Sequence, residues 1–278
     1  MTATEPPASP KLPALDRRSL LKAGLLGSGM FAAPLSASQP GRGFTHGVAS
    51  GEPGPDRVLL WTRFQADQDT PLEFEVSDSV DFTRKIAGGS IAARAENDWC
   101  CKTLAEGLEP AQSYYFRFIA PDGSISDIGR TRTLPEGPAD RFRMAVFSCA
   151  NIGFGWFNAY AHAAADGNFD CVLHLGDYFY EYAPGTYPST DETVSGRSVW
   201  PSHELVALAD YRERYAAYRQ DPDLRRLHQL FPMIAVWDDH ESANDSWEGG
   251  AENHQPDSEG EWSVRKAAAM KAYREWMP

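Results

Sequence analysis

Between Phe44 and Pro135 apolar residues come in short runs that alternate with polar ones. Val58–Thr62, Leu72–Val76, Cys100–Leu104 and Tyr114–Phe118 are the clearest, and Gly, Pro and Asp break the chain between them. Short alternating runs at such spacing predict a β-sandwich of roughly 90 residues. From Arg141 the pattern changes. Met144–Phe147, Cys171–Leu175 and Met233–Trp237 are compact apolar runs, whereas Phe157–Ala165, Leu205–Tyr218 and Trp262–Trp276 have helical composition, the first closing on Gly167-Asn168. Buried strands alternating with helices predict βαβ units and a parallel or mostly parallel sheet. The fold class expected is therefore a β-sandwich over residues 41–138 followed by an α/β region over 139–278, with no internal repeat.

The stretch Gly107-Leu108-Glu109-Pro110 before Tyr114 looks like the turn and tyrosine corner of a fibronectin type III-like domain. A sandwich of this kind reads as a structural cap more readily than as a ligand-binding module, and it is expected to close its own core. Ahead of it, residues 1–38 read as an export signal. A proline-rich leader precedes Asp16-Arg17-Arg18-Ser19-Leu20-Leu21-Lys22, the apolar run Ala23–Ala33 follows, and Ser36-Ala37-Ser38 supplies small residues for cleavage. That run is too short for a membrane span, which needs ~20 residues, and the paired arginines resemble a twin-arginine signal. Expected partners are thus the twin-arginine export machinery and no stable membrane insertion. The mature protein is expected to be soluble in the periplasm or outside the cell.

Charge narrows the function further. With 26 basic against 39 acidic residues the formal net charge is −13, which argues against general nucleic-acid or anionic-membrane binding. Four cysteines are too few for a disulfide scaffold. Cys171 reads as a small buried residue, and Cys100 and Cys101 point to opposite faces of one strand.

The candidate chemistry lies where three strands end. Cys149 follows the first apolar run of the α/β region, Asp177 the second, and Asp238-Asp239 the third. Ligands of open α/β sheets bind at the carboxyl ends of the strands, so these side chains converge if the strands are neighbours. Together they offer deprotonable sulfur and oxygen, a metal site rather than a nucleophile–base pair. Tyr180 lies three residues beyond Asp177, near enough to share an ion. A phenol with pKa ~10 is a poor ligand unless a strong Lewis acid drives off its proton. From Asp238 to Glu261 there are nine Asp or Glu and no Lys or Arg, hard oxygen donors that suit calcium. The outer part of that stretch reads as a solvated loop. His174 reads as a core histidine. Two roles are open to His240: proton donor or substrate contact, and orientation of its neighbours. Glu181 is a second candidate for orientation.

The wording of these segments resembles the PhoD-type alkaline phosphatases. The resemblance is carried by Phe44–Pro53, Val58–Arg63, Ser148-Cys149, His174–Tyr182, Asp210–Tyr215 before Asp221–Leu224, and Trp237–Glu241. It implies a fibronectin-like domain followed by a calcineurin-like metallophosphatase domain related to purple acid phosphatases. It implies hydrolysis of small-molecule phosphate mono- and diesters by attack of a metal-activated hydroxide or oxide, with Fe3+ and Ca2+ as cofactors. Carried over by position, Cys149, Asp177 and Tyr180 would be iron ligands, and Asp238, Asp239 and Asn244 match the region that supplies calcium ligands. Members of the family continue beyond the point matching Pro278 with further histidine and aspartate ligands. The resemblance therefore implies half a metallophosphatase domain, inactive by itself, with the sandwich surviving proteolysis as a piece ending near residues 135–140. The competing expectation is a secreted binding protein whose metal site is structural or lost.

Overall fold

The computed structural model describes residues 41–278; the export signal expected over residues 1–38 lies outside them. Among the described residues there are ten strands: β1 (Gly43–Gly51), β2 (Arg57–Gln65), β3 (Thr70–Ser77), β4 (Lys85–Ala93), β5 (Cys100–Glu106), β6 (Ser113–Ile119), β7 (Gly129–Arg132), β8 (Met144–Phe147), β9 (Cys171–His174) and β10 (Pro232–Ala235). The helices are α1 (Asn158–Asp166), α2 (Leu208–Tyr218), α3 (Pro222–Leu230), the single turn α4 (Pro256–Glu259) and α5 (Trp262–Trp276). Among the described residues no helix is long and apolar enough to cross a membrane.

Local chemistry accounts for most boundaries. Gly167 ends α1 in the left-handed conformation, returning its N–H to Ala163. The helix expected from Leu205 starts at Leu208, because the Asp210 carboxylate captures the N–H groups of Val206 and Ala207. Helix α3 was not anticipated although its signal is present. Asp221 accepts from the N–H groups of Asp223 and Leu224, and Pro222 occupies the first turn.

The strands form two sheets, one of order β4-β3-β6-β7 and one of order β5-β2-β1-β10-β9-β8. In the larger sheet β5, β2 and β1 are antiparallel, and β1·β10, β10·β9 and β9·β8 are parallel. One sheet thus runs through both regions of the chain, joined where Ser50 and Gly51 pair with Pro232 and Met233. Residues 41–138 pack a core of their own between the two sheets, and the other face of the larger sheet packs on a second core shared with the α/β region. Val58 and Leu60 of β2 pack with Phe74, Val76, Phe116 and Phe118 between the two sheets. Trp61, with Ala49 and Cys100, faces the other way into a second core with Tyr178, Tyr215 and Trp276. The Trp61 indole donates to the Glu275 carbonyl at 2.8 Å. Strands buried on both faces lose the polar–apolar alternation of a half-exposed strand. At the start of β6 the Tyr114 hydroxyl accepts from the Glu109 N–H at 2.9 Å, the tyrosine-corner bond anticipated there. Met144 and Val146 of β8 and Ile234 of β10 are exposed, as are Leu175 and Val236 just beyond β9 and β10.

Candidate metal centre

The carboxyl ends of β8, β9 and β10 lie side by side. Just beyond them Cys149 and Asp177 both adopt left-handed backbone, with φ of 57° and 52°. Non-glycine residues hold that conformation at a cost of order 1–3 kcal/mol unless the surroundings fix it, and such strain collects at functional sites. Here the two turns hold each other, as Cys149 N–H donates to Gly176 O at 3.2 Å and Ala150 N–H to Asp177 O at 2.8 Å.

These turns aim three predicted ligands at one point. The Cys149 thiol and the Tyr180 hydroxyl each lie 3.3 Å from Asp177 Oδ2. Asp177 Oδ1 is buried with no partner. From the third strand end come Asp239 and His240, whose donor atoms lie within 4.8 Å of each other and of an Asp177 oxygen. Asp177, Asp239 and His240 form a group able to hold a metal ion. Asp238 is exposed and stands outside that group, its backbone N–H donating to Glu241 Oε2 at 2.8 Å. Asn244 gives its side-chain amide to Glu252 and its backbone N–H to Glu181.

A buried carboxylate organises the second half of the site. Glu181 is fully buried and accepts from His240 Nδ1 at 2.7 Å, Asn244 N–H at 2.7 Å and Asn253 Nδ2 at 2.9 Å. Burial disfavours the Glu181 charge, but the His240 hydrogen bond and charge outweigh it and its pKa falls. His240 moves the opposite way: burial disfavours its charge, and Glu181 more than restores it. With Nδ1 held, Nε2 is the free nitrogen, the arrangement in which a carboxylate orients a metal-binding imidazole. The Tyr180 and His240 rings lie 4.2 Å apart.

Sequence reasoning missed three supports. Glu241 ties two strand ends together by accepting from the N–H groups of Tyr178 and Asp238, and burial pushes its carboxyl up to about 7. Buried Arg214 on α2 donates to the carbonyls of Tyr180, Tyr182 and Trp200, fixing the turn that carries Tyr180. Its signal was readable: Tyr211, Arg214, Tyr215 and Tyr218 make an inward stripe at helical spacing, with an arginine where an apolar residue belongs. Asn253 lies in a Gly/Asn/Asp-rich loop that gives no local signal. His174, read as a core histidine, is buried, and its Nε2 lies 3.1 Å from the Tyr160 hydroxyl.

The donor set suits a cation. Burial first, then the Asp177 charge, push the Tyr180 phenol well above its ordinary range, and burial also raises Asp177. A cation between them would reverse both effects and give Asp177 Oδ1 its missing partner.

A family profile described as PhoD-like phosphatase matches residues 144–278, and one described as PhoD-like phosphatase, N-terminal domain, matches residues 30–135. The chain belongs to the PhoD-like phosphatase family. Alkaline phosphatase D of Bacillus subtilis (strain 168) is 38% identical over 258 residues, which are 89% of this chain and 42% of that protein. A solved structure of PhoD superposes with a TM-score of 0.76 at 36% identity, covering 88% of this chain and 47% of that one. This PhoD-like chain therefore spans less than half the length of the relatives it matches.

Proposed function

We propose that this chain carries the first part of the catalytic centre of an exported phosphoric ester hydrolase acting on phosphate mono- and diesters. The reading includes export by the twin-arginine route, a fibronectin-like N-terminal domain, and ferric iron with calcium as the cations. The observation that carries it is the position of Asp177. One of its oxygens faces the Cys149 thiol and the Tyr180 phenol, and Asp239 and His240 complete a second donor set around the same carboxylate. A carboxylate so placed can serve two cations. Cys149, Asp177 and Tyr180 match the softer, ferric-type set. Asp177 and Asp239 would serve calcium, with Asp238 and Asn244 as its proposed further oxygen donors.

When bound, such cations supply Lewis acidity toward the phosphoryl group and lower the proton affinity of an attacking water. The residues of this chain do the rest. Glu181 keeps His240 Nδ1 occupied, so that Nε2 is presented to the cation that Asp177 and Asp239 would hold. Arg214 and Glu241 hold the Tyr180 turn and the Asp238 backbone in place.

The test is direct. The full-length protein, loaded with ferric iron and calcium, is expected to hydrolyse p-nitrophenyl phosphate or its bis-ester, and to absorb visible light through thiolate and phenolate ligation. Tyr180→Phe is expected to shift or bleach that band. Colourless protein with no turnover of either ester would remove the reading and favour a binding protein instead.

A further inference from the structure

Between β9 and α2 lies a long segment with no helix or strand, and it folds back beside the candidate metal centre. With the turn after β8 it encloses a cleft of about 460 Å3, lined by Asn151, Tyr180, Tyr182, Tyr187, Thr190 and Ser195 among others. That volume is within the range of small-molecule sites. Its rim is aromatic. The Tyr187 ring lies 5.1 Å from Phe154, 5.6 Å from Tyr180 and 5.9 Å from Tyr182. Phe154 and Tyr187 are 47% and 49% exposed, and Trp156 nearby is 55% exposed. Clustered exposed rings of this kind mark a binding surface more often than a packing accident.

Two arginines border the cleft, and apart from the buried Arg197 Nη2 their donors are directed at other parts of the protein. Arg197 is paired with Asp221 at 2.7 Å and donates to the Gly155 carbonyl, and Arg214 is occupied by backbone carbonyls. A lining dominated by rings and hydroxyls, with its arginines held by a carboxylate and by carbonyls, is a weaker site for a phosphate dianion than the cations at Asp177. It suits the other end of the ester. Tyr180 belongs to both places, lining the cleft while its hydroxyl points at Asp177, so one ester can span them. We infer that this cleft holds the alcohol part of the ester and selects planar aromatic alcohols of nucleoside or aryl type over small aliphatic ones. The inference rests on the phosphoester reading and names its substrate class.

Ligand-observed saturation-transfer NMR on the metal-free 278-residue chain tests it apart from hydrolysis, with adenosine as probe and glycerol as control. Adenosine is expected to bind and glycerol not to. Loss of one stacking ring in Tyr187→Ser should weaken adenosine roughly five- to tenfold, and Phe154→Ser, a second exposed position, should act in the same direction. Asp177→Asn should leave adenosine binding in place. In active protein, Tyr187→Ser should raise KM for p-nitrophenyl phosphate by a similar factor and leave glycerol phosphate unchanged. Adenosine binding without ester hydrolysis would support the cleft and remove the phosphoester reading. Hydrolysis without adenosine binding, or binding indifferent to both substitutions, would overturn the cleft.

Discussion

Gly176 and Asp238 touch so closely that no side chain fits between them. A Cβ at position 176 would stand 2.5 Å from the Asp238 nitrogen and 2.6 Å from its Cβ, and Gly176 has φ of +103°. This contact draws the strand end carrying Asp177 against the segment carrying Asp239 and His240. Gly176→Ala is therefore expected to destabilise the protein by ~2 kcal/mol or more, combining backbone strain with overpacking. It should also weaken cation binding. Urea unfolding and a calcium-binding isotherm measure the two effects, and wild-type behaviour in both would show that the contact relaxes without consequence.

Glu181→Gln keeps the size of the side chain but replaces an acceptor of three hydrogen bonds with a group that also donates. His240 then loses the carboxylate that holds its Nδ1. Cation affinity is expected to fall about 10- to 100-fold, as on removal of other outer partners of metal-bound histidines. Equilibrium dialysis with ferric iron and with calcium reads this. Unchanged affinity for both would mean that His240 is not a ligand or is oriented by other groups.

His174 supplies a pH dependence of known sign. Burial lowers its pKa to about 4 in the folded state, against ~6.5 in the unfolded chain. Between those values the unfolded chain takes up a proton that the folded protein refuses. The contribution of His174 to stability is thus full above pH ~6.5 and is lost as pH falls toward 4, at most about 3 kcal/mol. Glu241 acts in the opposite sense. Its folded pKa is raised to about 7, so its contribution grows as pH falls through 7 toward its unfolded value. Comparison with His174→Gln cancels the Glu241 contribution. The stability of wild type relative to that variant should fall by about 2–3 kcal/mol between pH 7.5 and 4.5 in urea titrations, and a flat difference would show that the folded protein protonates His174 normally.

Residues 41–138 alone should not behave as an independent unit. Cutting there uncovers the β1 edge that pairs with β10, together with Trp61, Ala49 and Cys100, which face the core containing Trp276. Open strand edges and bared aromatic surface favour aggregation. Limited proteolysis of the 278-residue chain is expected to leave no stable piece ending near residues 135–140, and the excised segment should unfold at lower urea than residues 41–278. A resistant, monomeric piece with that end would restore the self-contained sandwich.

The sequence by itself determined the local elements and the kinds of donor at the strand ends. Apolar runs of strand length, Gly167 after α1 and the helical composition of Trp262–Trp276 are short-range signals, and each produced the element its pattern implied. The motifs around Cys149, Asp177 and Asp238-Asp239 were legible for the same reason, since each sits within a few residues of its own strand. Tertiary structure alone decided which of those donors meet. Asp239 and His240 join Asp177, whereas Asp238 faces solvent, because a single residue of phase at the end of β10 sets direction and Gly176 sets distance. It also decided that one sheet runs through both regions. The pairing of Gly51 with Met233 spans most of the chain, and nothing in either segment names its partner. Arg214 and Asn253 support the site from elements far away in sequence, and a buried polar residue declares its purpose only when the carbonyls or carboxylate it must satisfy have been brought to it.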